Sequence, residues 1–272
     1  MTLEIMTEEL SEADLNELRA AVRALEGDSF ATRMADLIGR QVQAAGRALP
    51  SPARKVIARA SERALRTALR LAIKTIDPNA PAKPQVGLHK ALAAASGAAG
   101  GAFGLAALAA ELPVSTTIML RSIAQIARAE GEDLSAPEAA LACIEVFALG
   151  GHAPGEAALE SEYFAARGAL AISLRDSARF ILHHGLANET APVLVRLVSQ
   201  IAARFGVVVS EKLAAQALPV VGAVGGAAVN LAFVQHFQTI ARGHFTVRRL
   251  ERAHGAELVR FEYERLRNEK TR

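Results

Sequence analysis

The chain has 272 residues, 51% of them hydrophobic, 22% charged and 4% aromatic, with no Trp and a formal charge of +3. That length suffices for one large core or two small ones, and the apolar fraction is high for a water-exposed protein but low for one embedded throughout in lipid. A single cysteine, Cys143, excludes an intramolecular disulfide, and the acidic start lacks a basic-then-apolar leader; both point to a cytoplasmic protein.

Residues 7–26 read as a polar amphipathic helix. Asp28 or Ser29 caps a second helix running to about Leu49, where Pro50 and Pro52 end it and open the next. In residues 53–76 Lys55, Arg59, Arg63, Arg66, Arg70 and Lys74 recur every three or four positions, which is one stripe of a helix. Ile57, Ala60, Leu65, Ala68 and Leu71 fall largely off it, whereas Ile73 falls within it. Between Arg40 and Lys90 eleven basic residues face only Glu62 and Asp77. Residues 77–84 carry Pro78, Pro81 and Pro84 and break any helix. The expected division is therefore an N-terminal helical arm, 1–84, and a main helical domain, 85–272.

In the main domain helices are expected over about 87–110 and 114–130, separated at Leu112-Pro113. Ser135-Ala136-Pro137-Glu138 has the form of a capping box and starts a helix that stops at Gly150-Gly151. Further helices follow over about 154–186, from Asn188-Glu189-Thr190-Ala191-Pro192 to about 217, and from Pro219 to about 253. A short charged helix follows Gly255. No stretch alternates, so the expected fold is all-α: a multi-helix bundle with Ala/Gly-rich central helices and a basic amphipathic N-terminal arm. With so few aromatic residues, close approach of small side chains is expected to replace packing by large rings.

Two runs, 91–110 and 213–234, lack charge and are long enough to span a bilayer. The first is mostly Ala and Gly, and the second holds Gln216, Pro219 and Asn230, so burial within a bundle is the preferred reading. Gly97 with Gly101, Gly100 with Gly104 and Gly222 with Gly226 are four apart, which lets helices approach closely in either setting. Three readings are weighed for the basic stripe: a solvated face, a contact with anionic lipid, and a nucleic-acid contact. The last is set aside because no aromatic platform accompanies the stripe.

The phosphate-binding, nucleophile-elbow and zinc motifs are absent, and nothing calls for a metal or cofactor. Glu251 and His254 have the spacing of one half of a di-iron site, but a second half is missing. Cys143, His183, His184, His236 and His244 read as structural. Two polar constellations stand out. Glu111 is the one charge between Lys90 and Arg121, and Tyr163 and Arg167 share a helix face. Glu111, Arg121, Tyr163 and Arg167 are therefore taken together as a candidate ligand or functional cluster.

In order, the Ala/Gly tract, Leu112-Pro113, Arg121, Ile126-Ala127, Gly131, Asp133, Tyr163 with Arg167, Pro219 with Gly222, Asn230, Phe237, Ile240-Ala241 and Arg249-Leu250 resemble the bacterial EcsC family. The resemblance implies an accessory role linked to ABC transporter components, and for the family a peptidase or hydrolase role has been suggested. The expected function is a membrane-associated accessory or interaction protein, peripheral on the inner membrane. The alternatives are a hydrolase using Glu111, Tyr163 and Arg167, and a carrier of an apolar ligand or lipid.

Overall fold

The computed structural model describes residues 10–38, 50–74, 105–151, 161–184, 191–216 and 222–270. Among them are nine helices and no strand. They are α1 (Glu12–Leu25), α2 (Phe30–Ile38), α3 (Ser51–Lys74), α4 (Leu105–Ala129), α5 (Pro137–Leu149), α6 (Glu162–His184), α7 (Pro192–Gln216), α8 (Gly222–His254) and α9 (Ala256–Lys270). The all-α bundle expected from the periodicity is the observed fold. The proline-rich segment 77–84, the tract 91–104 with its paired glycines, and Pro219 lie outside the described residues.

The helix at the centre is α5. Twelve of its residues are buried, from Pro137 and Ala139 through Leu149. A helix apolar on all sides finds a stable place only where neighbours cover every face. Here α3, α4, α6, α7 and α8 all pack against it. Its far end is set by Gly151, where a Cβ would stand 2.4 Å from the Arg204 carbonyl oxygen, so α7 can pass close by. At its start the capping box does not form. The N-cap is Ala136, which makes no side-chain bond, and the Ser135 hydroxyl donates to Asp133 instead. Pro137 in the first turn, whose missing amide would have had no partner there, carries the helix start.

The first three helices belong to the same core and do not stand off as an arm. Leu18, Ala21, Val22 and Leu25 form the buried face of α1, which lies along α8. Ser11 caps α1 by accepting from the Asp14 amide at 3.1 Å. Ser29 caps α2 in the same way, and the Glu211 carboxylate of α7 accepts from the Ala31 amide at 3.1 Å. The α3 face of Ile57, Ala60, Ala64, Leu65, Ala68, Leu69 and Ala72 is buried against α4 and α7. Ile73 is buried as well, although simple spacing put it in the basic stripe.

Helix α4 corrects the expected break at Leu112-Pro113, because it runs straight through Pro113. A proline inside a helix removes one backbone bond and costs about 3 kcal/mol or more when nothing compensates. Burial of Leu108, Leu112, Ile118, Met119 and Ile123 on the same helix offsets that loss. The end of α4 is a Schellman motif. Gly131, at φ 79°, donates to the Arg128 carbonyl, and the Glu132 amide donates to Ala127.

Small residues do line α3 and α5, but five of the ten phenylalanines gather in one place. Phe147, Phe205, Phe233 and Phe237 meet with ring centroids 5.2–6.1 Å apart, and Phe30 adds an edge contact to Phe233. Large rings thus do pack in this core, at the crossing of α5, α7 and α8. Among the described residues α7 is long and apolar enough to cross a membrane by length and composition. The uncharged run 213–234 falls partly at the end of α7 and partly at the start of α8.

Candidate functional site

Helices α6, α8 and α9 meet over α5 and leave a cleft of about 380 Å³. Its charged lining is Glu145 from α5, Arg167 from α6, Arg248 and Glu251 from α8, and Glu257 and Arg260 from α9. Phe164, Ala171 and Leu174 of α6 form an apolar wall.

Each charge has a definite setting. Arg167 holds Glu251 through two bonds of 2.7 and 3.0 Å, and its guanidinium lies 5.4 Å from the Tyr163 ring centroid. Arg248 holds Glu132 through bonds of 2.8 and 3.0 Å, and Arg252 joins the same carboxylate. Burial alone would raise the Glu132 carboxyl, but Arg248 and Arg252 outweigh it and hold it below its ordinary value.

Behind these pairs is a line of three buried groups. The Tyr163 hydroxyl is 3.0 Å from His244 Nδ1, and His244 Nε2 is 3.7 Å from Glu145 Oε2. Burial, with Arg167 and Arg248 nearby, pushes the His244 pKa well below its usual value, so the ring is neutral. The Tyr163 hydroxyl then donates to Nδ1, and the imidazole proton sits on Nε2, toward Glu145. Glu145 is 4% exposed. Burial raises its pKa to about 7, with Arg167 and Arg248 pulling it back and Glu251 pushing it further up.

Gly168 lies on the same cleft, inside α6, and a Cβ there would meet nothing within 4 Å. A helix-interior glycine is worse than alanine by roughly 0.5–1 kcal/mol. Gly168→Ala should therefore raise stability by about that amount in chemical denaturation. A loss instead would mean that the position is crowded.

The four residues grouped from the sequence do not form one cluster. Tyr163 and Arg167 do come together, at the cleft. Glu111 is elsewhere in the core, with Lys212 Nζ 2.6 Å from its Oε1 and both side chains buried. Lys212 Nζ also lies 4.8 Å from the Phe233 ring centroid. Arg121 is exposed on α4. Glu251 and His254 serve Arg167 and Asp14 respectively, at 2.7 and 3.2 Å. His236 Nε2 is 2.8 Å from the Gly150 carbonyl oxygen, a tie between α8 and the end of α5. Burial pushes the Cys143 thiol up to about 12, so it is an inert core residue. The sequence reading missed Glu145, His244, Arg248 and Glu251 as members of a site. The available signal was Glu145 itself, the one charge in the apolar run 139–149.

On the other side of α3 from the core, Lys55, Arg59, Arg63, Arg66 and Arg70 are all exposed. Arg59, Arg63, Arg66 and Arg70 line a recess of about 400 Å³ together with Glu62 and Thr67. The acidic member, Glu62, lies 3.9 Å from Arg66 in an exposed pair of little energetic weight. Lys74 closes the helix, and its side chain lies outside the described part.

The order of motifs along the chain agrees with one family. A family model described as the EcsC protein family matches residues 12–250. The chain belongs to the EcsC family. Searches of curated proteins and of solved structures find no match to this EcsC protein. The family match spans the expected boundary at residues 77–84, in keeping with one core that takes in α1 and α3.

Proposed function

We infer that this EcsC protein is an accessory or interaction protein that docks on an anionic membrane surface through the basic face of α3. The observation carrying this reading is the division of α3 into two faces. Its apolar side is locked in the core, and Lys55, Arg59, Arg63, Arg66 and Arg70 all point away from it. A helix held in this way offers charge without an apolar wedge, so attachment is electrostatic and superficial. Such docking fits a cytoplasmic protein working at the inner membrane beside ABC transporter components, the setting the family resemblance implies.

The hydrolase alternative loses two of its three residues to other duties. Glu111 is committed to Lys212 inside the core. Burial raises the Tyr163 pKa beyond the range in which its hydroxyl ionises.

Each basic side chain near an anionic surface contributes about 1 kcal/mol. Changing Arg63, Arg66 and Arg70 to Glu should therefore cut binding to vesicles of phosphatidylglycerol and phosphatidylcholine at least a hundredfold in co-sedimentation. The thermal transition should stay in place, because all three are exposed. Salt should weaken wild-type binding. Neutral vesicles should bind little, because the apolar face is occupied. Equal binding of variant and wild type to the anionic vesicles would leave α3 as a solvated face without a partner.

A further inference from the structure

The cleft over α5 has features that neither packing nor surface docking requires. Glu145 is a carboxyl buried on the central helix, and His244 Nε2 stands 3.7 Å from it, beyond hydrogen-bonding distance. With no bonded partner among the described residues, a buried carboxyl that lines an opening is poised to accept one from outside. Independently, Gly168 keeps the α6 wall free of a side chain although a Cβ would meet nothing there. The position is exposed, so a larger side chain there has room to extend over the cleft.

The surrounding charges define what would fit. Arg167 from α6 and Arg248 from α8 flank Glu145, Glu251 accompanies Arg167, and Glu257 and Arg260 stand on α9. His244 and Tyr163, the other groups facing Glu145, are neutral. With Glu145 protonated, three arginines outnumber two carboxylates in the lining, and Glu145 becomes a hydrogen-bond donor. A cation would meet the guanidinium groups. An anion with one acid head would meet a donor and a positive field, and the apolar wall would take a hydrocarbon body. We propose that this cleft is a binding site for a small monocarboxylate with an apolar tail, its head hydrogen-bonded to Glu145 and its tail lying on Phe164, Ala171 and Leu174. The site is distinct from the α3 face and does not depend on membrane docking.

Binding then takes up a proton at Glu145. The carboxyl titrates near 7, so its protonated fraction falls about tenfold between pH 6 and pH 8, and affinity falls with it. The test is titration calorimetry of the full chain with sodium octanoate, with 1-octanol as the tail lacking an acid. Octanoate should bind about tenfold more tightly at pH 6 than at pH 8, and 1-octanol should bind far more weakly. Glu145→Gln, which keeps a neutral donor, should bind octanoate with nearly the same affinity at both pH values. Gly168→Leu should lose binding while its thermal unfolding stays close to that of the wild type. The proposal is overturned if octanoate fails to bind at pH 6. It is equally overturned if Gly168→Leu binds as the wild type does, or if Glu145→Gln retains the full pH dependence.

Discussion

Replacing Lys212 by Met should lower the unfolding free energy by about 3–5 kcal/mol. Lys212 and Glu111 are an ion pair at 2.6 Å with side chains 1% and 6% exposed. Removing the cation leaves a carboxylate in an apolar core, with neither water nor a counter-charge to replace what was lost. Burial already lowers the lysine's pKa, and Glu111 opposes that effect, so the pair survives because both members are present. The double change Lys212→Met with Glu111→Leu removes both charges and should recover most of the loss, since a packed apolar pair is often as stable as the ion pair it replaces. Urea midpoints of the single and double variants decide the matter. A single variant as stable as wild type would mean that Glu111 reaches water.

Glu145→Gln should have the opposite sign, with an advantage that grows as pH rises from 4.5 to 7 and holds above it. The carboxyl titrates near 7 in the folded protein, against an ordinary value of 4.5. Below pH 4.5 it is protonated whether the chain is folded or not. As pH rises from 4.5 through 7 the unfolded chain releases the proton before the folded chain does, and wild-type stability falls. Glutamine does not titrate and carries no charge to bury. The variant should match wild type near pH 4.5 and exceed it by about 1–3 kcal/mol at pH 8. Burial raises Glu211 to about 7 as well, so part of the alkaline slope should remain in the variant. Denaturation curves at both pH values test this, and a variant no more stable than wild type at pH 8 would contradict the burial of Glu145.

What the sequence made legible follows from the range of each interaction. Helix existence is local, so apolar periodicity and a cap such as Ser29 marked it well. Pro113 misled because the burial that overrides a proline comes from distant helices. The pairing of Tyr163 with Arg167 was visible because four residues return to the same helix face. Grouping Glu111 with Arg121 failed on the same geometry. Ten residues turn a helix by roughly 280°, so the two point in different directions, one into the core and one to water. The true partner of Glu111, Lys212, is 101 positions away, and no local rule connects them. Glu145 was legible in principle, as a charge in a helix otherwise apolar on every side.

The contact between α1 and α8 has a consequence for synthesis. The bonds from Arg249 to Glu17 and from His254 to Asp14 join residues 232 and 240 positions apart. At about 5–20 residues per second, α1 leaves the ribosome roughly ten to fifty seconds before its docking surface exists. For that interval Leu18, Val22 and Leu25 have no native cover, and the central helix α5 waits for α6, α7 and α8 in the same way. The nascent chain therefore carries uncovered apolar surface through most of its elongation, and closure of the bundle is a late event that follows translation of α8.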